Sequence, residues 1–155
     1  MKEKILKLIL ITLTILITLV AVFLMPNLAQ LMARSLSDFS FLKKPGLIII
    51  YLSLIPFYIC MVQGWRLVDL VYVQEIFSEK AISSFNIIRI CSLIIFLIYS
   101  LSLIILVLIR VPFTTAYLAI SILLLASLAF SLTISLVIRL VKIARDYKEE
   151  NELTI

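Results

Sequence analysis

Three carboxylates, Asp69, Glu75 and Glu79, fall within eleven residues of one another, and two thiols, Cys60 and Cys91, flank them. Carboxylates this close could share a proton or hold a cation, and paired thiols could form a disulfide or take a soft metal. The rest of such machinery is missing. The chain has no histidine and only two glycines. Zinc motifs, glycine-rich phosphate loops and imidazole acid–base chemistry therefore lack their raw material, and no nucleophile stands beside a base. No enzymatic activity, cofactor or metal is expected.

The elements that carry these residues are apolar. Of 155 residues, 64% are hydrophobic and 15% charged, with a mean hydropathy of +1.24; a water-soluble domain spends about a quarter of its residues on charge. Four uncharged runs, over residues 8–25, 46–62, 90–109 and 116–138, approach or reach the roughly 20 residues that cross a bilayer. Backbone groups in lipid must be paired within the segment, so each run is predicted to be a helix. The expected fold is all-α, a single membrane domain over 1–155 built as a four-helix bundle. The first run is longer than a signal-peptide core of about 7–15 residues, and Pro26 precedes a poor cleavage site at Asn27-Leu28-Ala29; it is expected to be retained. With no Asp, Glu, Lys or Arg inside any run, ion-coupled transport has no intramembrane carrier. Ser127, Ser131 and Ser135, near Ala119, Ala126 and Ala129, read as a packing stripe.

Lysine and arginine set the expected orientation. Ten of them (Lys2, Lys4, Lys7, Arg66, Lys80, Arg89, Arg139, Lys142, Arg145 and Lys148) fall on one side, and four (Arg34, Lys43, Lys44 and Arg110) on the other. Both termini are expected in the cytoplasm of a cell membrane. Lys2, Lys4, Lys7, Arg139, Lys142 and Arg145 are candidate anchors at anionic lipid headgroups, which suit the net charge of +5 better than direct contact with nucleic acid. Cys60 and Cys91 then lie near the cytoplasmic ends of neighbouring helices, where they read as reduced apolar thiols.

Three segments lie outside the runs. Over 26–45, Leu28, Leu31, Met32, Leu36 and Phe39 recur at helical spacing opposite Gln30, Arg34, Ser35 and Asp38, which predicts an amphipathic helix on the outer face. Over 63–89 the helical phase of the second run continues through Leu67, Leu70, Val71 and Phe77, and Ser78 is a good N-cap with Glu79 behind it. A long hairpin, 46–77 and 78–109, is expected to project about 20 Å into the cytoplasm. The tail, 139–155, turns from basic to acidic after Lys148 and ends in Leu153-Thr154-Ile155; the basic part should anchor and the acidic part stand clear of the membrane.

Two stretches resemble a known family. Ile76-Phe77-Ser78-Glu79-Lys80, followed by Ile82, Phe85 and Ile88, resembles the Phe-Ser-Glu turn between spans two and three of the YoaS-like family of small, uncharacterised, mostly Gram-positive bacterial membrane proteins. The ending Glu149 through Ile155 is similar to that family's acidic ending with its Asn-acid-Leu-Thr core. Ala81 departs from a frequent Asn in the family, and Ser83 and Ser84 stand where it has basic residues. The resemblance implies no enzymatic activity. It implies an association with a small helix-turn-helix regulator of the Xre/Cro type, beside which members are often encoded. Phe77, Ser78, Glu79, Asn151, Glu152, Leu153, Thr154 and Ile155 are the candidate partner-binding residues. The expectation is a membrane-resident adaptor that holds such a regulator. The alternative is a small permease, exporter component or immunity protein for a lipid-like or peptide substrate, using Tyr99, Ser100 and Ser102 of the third run.

Overall fold

The computed structural model describes residues 2–35, 37–112 and 114–153. All regular elements among them are helical: α1 (Lys2–Leu19), a π turn (Val20–Leu24), α2 (Met25–Ser35), a 3-10 segment (Ser37–Leu42), α3 (Lys43–Tyr72), α4 (Glu79–Ile109) and α5 (Thr114–Leu153). Four helical stretches are long and apolar enough to cross a membrane: Glu3–Leu31, Ser40–Tyr72, Glu79–Ile109 and Thr114–Lys148. Only 6 to 11% of the most apolar window of each is buried inside the protein, so the apolar surface faces outward, as lipid requires and water forbids.

The helices pack in chain order, α1 on α3, α3 on α4 and α4 on α5. The start of α1, the end of α3, the start of α4 and the end of α5 meet at one end of the molecule, called here the basic end. Its core is Ile82 and Ile88 of α4 with Ile134, Ile138 and Val141 of α5, closed by Cys60 and Leu67 of α3. Buried positions follow alternating steps of three and four: Ala81, Ser84, Ile88 and Cys91 in α4, then Ser131, Ile134, Ile138 and Val141 in α5. That spacing belongs to left-handed coiled-coil packing. The serines let the backbones approach while returning their hydroxyls to their own helices, as Ser92 does to the Arg89 carbonyl at 2.8 Å and Ser135 to the Ser131 carbonyl at 2.9 Å.

The end of α3 differs from the expected one for a local reason, while α4 ends at Ile109 as expected. α3 stops at Tyr72, where residue 77 was expected, because Gln74 takes a left-handed φ of 62°. Its N–H donates to the Val71 carbonyl at 3.2 Å, and the Glu75 N–H to the Leu70 carbonyl at 2.9 Å. This is the Schellman pattern that glycine usually completes, and a side chain at that φ costs about 1–2 kcal/mol. Arg110, at φ 55°, closes α4 likewise; the Val111 N–H donates to the Leu106 carbonyl at 3.4 Å, Val111 is buried, and Pro112 follows. The α3 arm therefore extends roughly 10 Å past Trp65 and the α4 arm roughly 15 Å past Arg89, less than the 20 Å foreseen. At the start of α4, the Ser78 hydroxyl accepts from the Ala81 N–H at 3.4 Å.

Over 26–45 there is a continuation of α1 in place of one separate helix. The Met25 N–H reaches back to the Val20 carbonyl, opening a π turn that accommodates Pro26, which has no N–H to give. α2 then runs to Ser35, with Leu28 and Leu31 exposed, and the 3-10 segment leads into α3. Leu36 lies outside the described residues, as do the side chains of Met32, Ser35, Asp38 and Phe39.

Candidate interaction surface at the basic end

Glu79, Arg139, Lys142 and Arg145 sit on helices whose apolar faces are committed to the core. Around Glu79, Ala81, Ile82 and Ser84 point inward, which leaves Glu79 and Ser83 outside. On α5, Ile138 and Val141 are buried while Arg139 and Lys142 are exposed. The two helices then bring together residues 66 positions apart: one terminal nitrogen of the Arg145 guanidinium donates to the Glu79 carboxylate at 3.3 Å, and the other lies 3.6 Å from Asp146. A candidate of the hairpin and a candidate anchor thus form one latch. Glu75 lies 3.9 Å from Lys80 across the turn. Phe77 is 41% exposed at that turn, and Ser78 spends its hydroxyl on the cap.

Lys7, one of the candidate headgroup anchors, is engaged within the protein. Its ammonium bonds to Glu3 at 2.8 Å and to Asp69 of α3, and stands 5.7 Å from the centre of the Trp65 ring. A cation over an aromatic face with two carboxylates is well satisfied within the protein. Trp65 and Asp69 are four residues apart on one face of α3, and that spacing was the available signal; the partner, 62 residues away, left none. Lys4 is exposed on α1. The side chains of Lys2, Asn151, Glu152 and Leu153 lie outside the described part, as do Thr154 and Ile155 altogether; the backbone of α5 remains helical through Leu153.

Two surface depressions flank the bundle. One, of about 430 Å³, is lined by Ser83, Asn86, Ile87 and Ile90 of α4 and by Lys142 and Arg145 of α5, with Glu79 at its lip. Sequence reading had no access to it, because Asn86 is an ordinary polar residue until α5 places two cations opposite. The other, of about 250 Å³, is almost wholly apolar and separates Leu10, Thr14 and Ile15 of α1 from Tyr58, Met61 and Trp65 of α3. Deeper in, Cys60 and Cys91 are free and adjacent, with the Cys60 thiol 3.8 Å from the Ile88 carbonyl. No cluster of three or more histidine, cysteine or acidic residues able to hold a metal occurs among the described residues. Among the described residues, Gln63 Oε1 and Arg89 Nε are buried without a hydrogen-bond partner. Tyr99 of the third run bonds to Ser53 at 3.1 Å, and Ser102 to the Ile98 carbonyl at 2.7 Å, so both serve helix packing.

Four long apolar helices with outward-facing apolar surface and charge gathered at the ends define a multi-pass, all-α integral membrane protein. The chain belongs to the family described as "Protein of unknown function (DUF2975)", whose model matches residues 27–155. It is 25% identical over 152 residues to "Uncharacterized membrane protein YoaS" of Bacillus subtilis (strain 168), covering 97% of this chain and 95% of that protein. No solved structure shows a significant match.

Proposed function

We propose that this protein is a non-enzymatic, membrane-resident adaptor, with the basic end in the cytoplasm and the projecting ends of α4 and α5 as the seat of a soluble partner. The observation that carries the reading is the course of α5. Its apolar run closes at Arg139, yet the helix continues to Leu153, roughly 20 Å further. A chain that needed only to stop at the headgroups would fray there; this one is held against α4 by its core contacts and by the Arg145–Glu79 pair. The excess of lysine and arginine at this end supports a cytoplasmic placement. Asp69, Glu75 and Glu79 are all engaged in ion pairs, which supports a binding rather than a catalytic role. The partner that the family resemblance points to is a small helix-turn-helix regulator, met by Phe77 and Glu79 at the turn and by residues 151–155 of the tail.

The test is in-cell crosslinking of the full-length protein against a form stopped after Lys148, with captured partners identified by mass spectrometry. Capture of a small DNA-binding protein by the full-length form alone is the expected result. Equal capture by both forms, or capture of no soluble protein, overturns the adaptor reading.

A further inference from the structure

We propose that the groove between the start of α4 and the end of α5 binds the phosphodiester headgroup of an anionic glycerophospholipid. The inference is independent of the adaptor reading and rests on depth, polarity and unused donors. Arg89 and Arg139 close the apolar runs of α4 and α5. At 1.5 Å per residue, Lys142 lies roughly 4–5 Å along α5 beyond Arg139 and Asn86 as far along α4 beyond Arg89, with Arg145 and Ser83 roughly 9 Å beyond the same two residues. Each interfacial layer of a bilayer is about 5–8 Å deep, so Lys142 and Asn86 lie within the headgroup layer and Arg145 and Ser83 reach its outer edge. Ile87 and Ile90 form the part of the groove that faces back toward the hydrocarbon. A ligand with a polar end above and acyl chains below matches that division.

The donors face the groove in the number a phosphate needs. Lys142 has no ion-pair partner among the described residues, and no bond engages the Asn86 amide or the Ser83 hydroxyl. Arg145 adds a planar guanidinium suited to two phosphate oxygens. Glu79 stands at the outer lip with its side chain 89% exposed, and an exposed pair of this kind opens at little cost. An arriving phosphate therefore competes with Glu79 for Arg145. A zwitterionic headgroup brings its own cation to the same lysine and arginine, so the groove selects for net negative charge. The volume of about 430 Å³ accommodates a glycerophosphate group, and the acyl chains stay in the bilayer.

The experiment is native mass spectrometry of the full-length protein from mixed micelles holding equal phosphatidylglycerol and phosphatidylcholine. Phosphatidylglycerol is expected to be retained over phosphatidylcholine by about fivefold or more. Lys142→Gln and Asn86→Ala should each remove most of that preference, Lys142→Arg should keep it, and Glu79→Gln should raise it. Lys80→Gln, which deletes the same charge from the same end but outside the groove, should leave it unchanged. Equal retention of the two lipids overturns the site. So does an equal loss in Lys80→Gln and Lys142→Gln, which would make the attraction a diffuse one. Full displacement of the lipid by millimolar inorganic phosphate would make a free phosphate the ligand and overturn the lipid assignment.

Discussion

The α4–α5 pair and the α1–α3 pair are both antiparallel contacts between long apolar helices, yet one is tight and the other open. α4 and α5 bury a seam of alanine, serine and isoleucine at coiled-coil spacing and finish it with an Arg145–Glu79 bridge. α1 meets α3 at Lys7 on Asp69 and Trp65, at Leu10 over Gly64, and at a Thr18–Tyr58 hydroxyl bond of 2.8 Å. Between these points lies the apolar depression. Hydrophobicity does not separate the two pairs, since α1 is as apolar as α4. Lipid tails compete with any leucine face, so what brings helices together in a membrane is shape: small residues in register, and polar bonds where they can form. α4 and α5 supply small residues in register along their length, with a polar bond near each end from Tyr117 to the Leu106 carbonyl and from Arg145 to Glu79, whereas α3 offers α1 polar bonds but a single glycine.

The contrast can be broken or sharpened by substitution, with unfolding of the full-length protein in detergent as the measure. The largest effect is expected from Ile82→Ala. Ile82 is 8% exposed and lies past Arg89, outside the hydrocarbon, so it carries both the transfer term and the cavity; a loss of about 2–5 kcal/mol is expected. Gly64→Ala should act in the opposite direction. Its new methyl would meet Leu10 carbons at 3.8 and 3.9 Å, an ordinary contact, and would remove a mid-helix glycine. A gain of about 0.5–1 kcal/mol is expected; a loss would mean that α1 is seated tightly after all. The smallest effect belongs to Glu79→Gln. An ion pair with one partner so exposed contributes at most about 0.5 kcal/mol, so this change should leave stability nearly untouched while it alters headgroup preference.

The spans were legible because each is a long uncharged run, and a bilayer admits only helices for such a run. The Ser78 cap was legible for a similar reason, as a short polar side chain before a helical phase. The end of α4 at Ile109 was legible from the charge of Arg110, but the stop at Gln74 was not, because a left-handed residue that ends a helix announces itself only when it is glycine. α5 beyond Lys148 was read from its charge as standing clear of the membrane; nearer the bundle, Ala144 and Arg145 are half-buried and Arg145 reaches Glu79 of α4, so the α4–α5 contact continues further than the apolar run. The site was legible least of all. Lys142 and Arg145 stood out as cations, but Ser83 and Asn86 acquire a role only when α4 and α5 are laid side by side, a relation that no spacing along one strand of sequence encodes.

α5 contains neither proline nor glycine in its 40 residues, so nothing along it provides a hinge. Mechanically it is a lever of roughly 60 Å with its fulcrum in the bilayer. Membrane helices answer a change in bilayer thickness by tilting, and a tilt of about 10° about mid-bilayer would swing the far end of this one sideways by ~7 Å. Thinning or thickening of the lipid around the protein is therefore converted into displacement at Leu153, with α4 carried along through the seam that joins them.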